Sequence, residues 1–95
     1  MITLLTAFNA KDEASARELA GLLAALGQTV PSEPGNRSYE VLASVANPLV
    51  FYIRDSWDSQ LAIDEHLRLL TRRGDLDKVA GLLSEPLTAA RLTAL

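Results

Sequence analysis

The stretch ITLLTAF, residues 2–8, is apolar on both of its alternating sets, and so is much of LVFYIRDSW at residues 49–57. Leu4 and Leu5 are both apolar, as are Val50 and Phe51, and Tyr52 and Ile53. Side chains alternate across a strand, so a strand of this kind must be buried on two faces. Whatever sheet these strands build needs a cover on each side. That requirement limits the possible folds more than any single motif does.

The segments between the strands supply one cover. In KDEASARELAGLLAALG, residues 11–27, Ala16, Leu19, Ala20, Leu23 and Leu26 recur at helical spacing. Asp12 and Glu13 suit the positive end of that helix, and Gly27 is the expected stop. PSEPGNRS, residues 31–38, is dense in turn formers and reads as a loop. YEVLASVA, residues 39–46, alternates Tyr39, Val41, Ala43 and Val45 against Glu40, Leu42, Ser44 and Ala46. A turn at Asn47-Pro48 then leads into residues 49–57, which makes a hairpin.

A second helix is predicted from about Ser59, with Ala62, Ile63, His66, Leu69 and Leu70 on one stripe. Gly74 ends it. Asp75 is expected to cap a short third helix carrying Leu76, Val79, Ala80 and Leu83. Pro86 stops that helix, and LTAARLTAL, residues 87–95, reads as a last strand.

The order β-α-β-β-α-(α)-β is that of a split βαβ, or ferredoxin-like, α+β domain spanning residues 1–95, with a four-stranded antiparallel sheet. Its helices lie on one face. The other face of such a sheet is normally polar, and here it is not. A second copy packed sheet on sheet supplies the missing cover, so a two-fold homodimer through the sheet faces is expected. The composition agrees: 48% of only 95 residues are hydrophobic, and a chain this short exposes much of its surface when alone.

Charge and cysteine usage narrow the function. The net charge is −3, and Arg72-Arg73 is the only adjacent basic pair. No basic stripe with interleaved aromatics exists, which argues against a nucleic-acid partner. No apolar run approaches the roughly 20 residues of a membrane span. MITLLTAFNAKDE at the start lacks the positive n-region and small-residue cleavage site of a signal peptide. There is no cysteine, hence no disulfide, thiolate metal site or Cys nucleophile. A cytoplasmic location is the expectation that fits.

The residues that can carry chemistry are few. His66 is the only histidine, and it shares a stripe with Ala62, Ile63 and Leu70, so it should point inward. A buried neutral imidazole acts as an acid or base near neutral pH, or is simply held by a backbone carbonyl or a Tyr hydroxyl. Its stripe leaves both open. One His with neither Cys nor a carboxylate at helical spacing is short of a zinc or iron ligand set, so no metal site is expected. Trp57, the only tryptophan, either plugs the gap between strand and helix or lines a pocket. Tyr39 and Tyr52 either point a hydroxyl into a cavity or reach the surface. Asn9 marks the entry to the first helix, where it serves as a turn residue or hydrogen-bonds a ligand oxygen. There is no GxSxG, no phosphate-binding Gly-rich loop and no nucleotide fingerprint. Any reaction has to run in a mostly apolar pocket between helices and sheet.

Two stretches resemble a known family. EPGNRSYEV, residues 33–41, resembles the entry to the second strand of the antibiotic biosynthesis monooxygenase domain family. DSWDSQLAIDEHL, residues 55–67, resembles that family's E-x-W-x-S-x-x-A-[apolar]-x-x-H segment, with Trp57, Ser59, Ala62, Ile63 and His66 in register. LLSEPL, residues 82–87, resembles the usual lead into the last strand. The resemblance implies a dimeric α+β barrel of ferredoxin-like protomers. It implies a cofactor-independent monooxygenase oxidising a small phenolic or quinol compound, without flavin, haem or metal.

On that resemblance His66 and Asn9 are the catalytic candidates, and Trp57, Tyr52 and Tyr39 the substrate-binding ones. A non-catalytic ligand-binding or structural dimer is the alternative, as is an isomerase of a small phosphorylated carbonyl compound using Arg72 or Arg73. The chain also departs from the family pattern. NAKDE replaces the common Pro-Gly after the first strand, and Asp55 replaces the usual Glu. Thr71 sits near the place where many members carry a second histidine, which weighs against haem chemistry.

Overall fold

The computed structural model describes residues 1–95. The elements are β1 (Ile2–Asn9), α1 (Glu13–Thr29), a 3-10 turn (Val30–Ser32), β2 (Asn36–Ala43), β3 (Val50–Trp57), α2 (Gln60–Arg73), α3 (Asp75–Ala80) and β4 (Thr88–Leu92). The four strands form one sheet in the order β2-β3-β1-β4, with every neighbouring pair antiparallel. This is the expected ferredoxin-like α+β arrangement.

Register divides each strand into two faces. Ile2, Leu4, Thr6 and Phe8 of β1 pair with Trp57, Asp55, Ile53 and Phe51 of β3. Phe8, Ile53 and Trp57 from this set join Leu19, Leu23 and Leu26 of α1, Ile63 and Leu70 of α2 and Val79 of α3 in the core. The opposite set pairs Thr3, Leu5, Ala7 and Asn9 with Ser56, Arg54, Tyr52 and Val50. On that open face Leu42 pairs with Tyr52. Apart from Asn9 at one end, the face carries only one ion pair, Arg54 to Glu40, and is otherwise apolar or hydroxylic around Leu5, Ala7, Leu42 and Tyr52.

Local chemistry explains the element ends, and in several places it differs from the sequence reading; α3, for one, ends at Ala80, before Leu83 and Pro86. Helix α1 begins where the Asp12 side chain accepts from the Ser15 N–H at 2.7 Å. It does not stop at Gly27 but runs to Thr29, because Pro31 is the first residue lacking a backbone N–H. Gly27 instead packs inside the helix beside Val41, whose Cγ2 would lie in ordinary contact, 3.4 Å, from an added Cβ. Strand β2 starts at Asn36 and not at Tyr39, since pairing with β3 continues to Trp57. Ser59 caps α2 through Ala62 N at 3.2 Å. Gly74, with φ 77°, both closes α2 and opens α3, so Asp75 is the first residue of α3 and not its cap. The last strand is confined to Thr88–Leu92.

The segment between α3 and β4 is tied back to the end of β1. Lys11 N donates to Leu82 O at 2.9 Å, and Ser84 N donates to Asn9 O at 2.9 Å. These bonds hold residues 82–87 over the helix-covered face of the sheet, where they become a cavity wall.

Candidate functional site

Between the helices and the sheet lies one large cavity, with a volume of about 750 Å³. That is within the roughly 300–1,000 Å³ of small-molecule sites. Leu4, Phe8 and Ile53 form its floor, while Leu67, Leu70 and Leu76 come from α2 and α3. The polar groups are Thr6, Tyr39, Asp55 and His66, with Asp75, Asp77, Ser84 and Glu85 on the α3 and β4 side.

His66 projects from α2 beneath Trp57. Its ring centroid is 4.7 Å from that of Trp57, tilted by 34°. Tyr39 meets it edge-on at 6.3 Å. Aromatic contacts of this kind contribute about 0.5–1.5 kcal/mol each beyond their buried area. They fix the imidazole plane, and a hydrogen bond fixes its rotation. His66 Nδ1 lies 2.7 Å from Glu33 Oε1, and both side chains are almost fully buried. The carboxylate accepts, so Nδ1 carries the proton and Nε2 is left as the nitrogen available to the cavity. The partner is therefore neither the backbone carbonyl nor the Tyr hydroxyl weighed from the sequence.

Glu33 reaches His66 because of the turn that follows it. Gly35 has φ 82°, and a Cβ there would sit 2.5 Å from the Ala62 Cβ. Only glycine lets the loop lie against the first turn of α2. Asp58 N donates to Gly35 O at 2.8 Å and locks the approach.

Asp55 is the second polar feature. It is 5% exposed. Trp57 Nε1 donates to its Oδ2 at 2.7 Å, while Oδ1 has no partner. Burial pushes its carboxyl above the usual range, against the opposing pull of the Trp57 hydrogen bond and of His66. Tyr39 pairs with Asp55 across the strands. Burial, then Asp55 and Glu33, raise the Tyr39 hydroxyl far above its ordinary value, so it stays protonated.

The structure thus brings three of the five residues singled out from the sequence to the cavity: His66, Trp57 and Tyr39. The other two lie elsewhere. Tyr52 and Asn9 belong to the open face of the sheet by strand alternation, outside the cavity lining. Tyr52 is five residues from Trp57, an odd number, so the two cannot share a face of β3. Glu33 and Asp55 were missed as site residues. Asp55 had a usable signal, since it stands two positions before Trp57 on the same strand. Arg72 and Arg73 do not line the cavity either; Arg73 Nε lies 3.4 Å from Asp75 Oδ2 at the end of α2. No group of three or more His, Asp or Glu side chains converges to hold a metal ion, and no helix is long and apolar enough to cross a membrane.

Comparison with known proteins agrees with the fold. The family model described as "Antibiotic biosynthesis monooxygenase" matches residues 1–71. Among solved structures, a candidate antibiotic biosynthesis monooxygenase of Nitrosomonas europaea superposes with a TM-score of 0.88 at 18% identity, covering 100% of this chain and 99% of that one. A candidate of the same description from Deinococcus radiodurans gives 0.85 at 26% identity, over 99% and 92% of the two chains. A Mycobacterium tuberculosis protein gives 0.86 at 23% identity, over 99% and 94%. No curated protein matches the sequence.

Proposed function

Since the chain belongs to the antibiotic biosynthesis monooxygenase family, we propose that it is a cofactor-independent monooxygenase acting on a small phenolic or quinol compound. The observation that carries this reading is the Glu33–His66 pair, a carboxylate-oriented imidazole on the wall of a mostly apolar cavity. The substrate's ring occupies the apolar part of the cavity, against Trp57 and Tyr39. His66 Nε2 takes its phenolic proton. The electron-rich anion then reduces molecular oxygen itself. One oxygen atom enters the product and the other leaves as water, the electrons all coming from the substrate.

Each side chain has a defined part in this scheme. Glu33 keeps Nδ1 protonated, so that the base is always the nitrogen facing the substrate. The apolar walls exclude water, which strengthens polar interactions with the developing oxyanion. Tyr39, locked in its protonated form, is a hydrogen-bond donor for a substrate oxygen and not a competing base.

The functional unit in this reading is a homodimer. The open face presents Leu5, Ala7, Leu42 and Tyr52, with Leu42 40% exposed and Leu92 45% exposed in the protomer. Packing two such faces together buries them and completes an α+β barrel. Tyr52 then serves the interface and not the ligand.

The test is oxygen uptake by purified, metal-stripped protein with a panel of hydroquinones and anthrone-like phenols. Uptake above autoxidation, with one atom of isotopically labelled oxygen in the product, supports the reading. Rates equal to buffer across the panel contradict it for these substrates and favour a ligand-binding or structural dimer.

A further inference from the structure

The polar lining of the cavity is uneven in sign. Asp55 and Asp75 contribute from inside and Asp77 and Glu85, both exposed, from the rim, and not one Lys or Arg does. Asp75 is partly offset by Arg73; the other three carboxyls have no cationic side chain within ion-pair distance. An anion entering this space from water is desolvated against apolar walls and finds carboxyls with no Lys or Arg to offset them. A phenolate formed inside differs, because it is paired with the imidazolium of His66 that took its proton. Near the buried Asp55, in a medium of reduced dielectric, such repulsion is larger than in water. A phosphate or carboxylate on the ligand therefore has no place here.

Within the same cavity, Asp55 carries a free oxygen. The residue is 5% exposed, its Oδ2 is taken by Trp57, and its Oδ1 is buried without a partner. Buried polar atoms are nearly always hydrogen-bonded; Asp55 lines the cavity, so a small turn of its side chain brings this orphan oxygen to a ligand group that completes the set. Asp55 stands on β3 between Leu4 and Tyr39 of the neighbouring strands. It is thus on the strand side of the cavity, while His66 is on the helix side, and the Trp57 ring contacts both.

We propose that Asp55 is a ligand-binding residue whose Oδ1 hydrogen-bonds a hydroxyl of an uncharged aromatic ligand, and that the cavity as a whole rejects anionic ones. This rests on the proposed phenol or quinol chemistry of the same site and narrows its substrate class. A hydroxyl suits Asp55 in either ionisation state, because it both donates and accepts. An ether or a quinone carbonyl can only accept, and an acid brings a charge.

Equilibrium binding without oxygen tests this separately from turnover. Trp57 is the sole tryptophan, so its fluorescence reports on the cavity directly. The probes are naphthohydroquinone, its dimethyl ether and its ring carboxylate. The wild type should bind naphthohydroquinone about tenfold more tightly than the ether, and more tightly than the carboxylate by about tenfold or more. Asp55→Asn keeps an acceptor for Trp57 Nε1 and should shrink the preference for the hydroquinone over the ether by about tenfold. An unchanged preference in the variant would overturn the role of Asp55. Equal wild-type affinity for the carboxylate would overturn the charge selection, with no variant needed. Normal discrimination without oxygen uptake would sink the oxygenase reading and leave the binding site standing; uptake with no discrimination would do the reverse.

Discussion

Glu33 Oε1 and His66 Nδ1 meet at 2.7 Å across 33 positions of sequence, joining the loop before β2 to the middle of α2. The bond serves stability and chemistry together. Glu33→Ala leaves a buried imidazole N–H without an acceptor, which costs about 1–3 kcal/mol. Glu33→Gln retains a carbonyl oxygen that can accept from Nδ1, so it should cost clearly less. Urea unfolding of the two variants checks the order. If both cost the same, the hydrogen bond is not what holds the loop to the helix.

Gly35 and Gly74 separate backbone strain from crowding. Both have positive φ, 82° and 77°, but an added Cβ meets Ala62 at 2.5 Å at the first and open space at the second. Gly74→Ala should cost about 1–2 kcal/mol, the ordinary price of a left-handed residue. Gly35→Ala bears that cost and also pushes the loop off α2, which displaces Glu33. Thermal unfolding should show it as the more damaging change, and His66 ring resonances in an NMR spectrum should shift in that variant alone.

Two aspartates should bend the pH dependence of stability in opposite directions. Burial raises Asp55 above its ordinary value of 3.8, so the folded chain keeps a proton there that the unfolded chain has lost. Stability then falls as pH rises from about that ordinary value through the raised one, and levels off beyond it. Asp55→Asn removes the fall, so its stability relative to wild type should improve as pH rises. The Ser15 backbone N–H lowers Asp12 below its ordinary 3.8. That contribution is present above the unfolded value and lost as pH falls through the folded one. The deficit of Asp12→Ala should therefore be full at neutral pH and close on acidification. Urea titrations of both variants across the acid range check the two slopes.

The open face predicts association. Leu42, on the edge strand β2, pairs with Tyr52 on that face and is 40% exposed. Leu42→Glu places a charge where the proposed interface is apolar, and charges buried without partners are strongly disfavoured. Sedimentation equilibrium should give a dimer for wild type and a monomer for the variant. A wild-type monomer at micromolar concentration would remove the sheet-to-sheet interface from the account.

The legible part of this architecture was its periodicity. The stripes through Leu19, Leu23 and Leu26, and through Ile63, His66 and Leu70, are buried as the spacing requires. Strand parity was less legible. Strands β1 and β3 are apolar at consecutive positions, so polarity could not say which set faced the helices, or that Tyr52 and Asn9 lie on the opposite set from Trp57. Counting from Trp57 would have settled β3, since Asp55 is in phase with it and Tyr52 is not. Glu33 was visible only as the first letter of a turn motif. Its contact with His66 depends on how Gly35 folds the loop onto α2, a tertiary event that no local pattern encodes.

The central claim is that His66, oriented by Glu33, removes a proton from a phenolic substrate. The most direct test is the oxygen uptake of His66→Gln beside wild type on whichever hydroquinone the wild type turns over, with binding of the same compound followed by Trp57 fluorescence. The account predicts retained binding and a loss of turnover of about a hundredfold or more. Turnover within a few-fold of wild type, with binding intact, would contradict it.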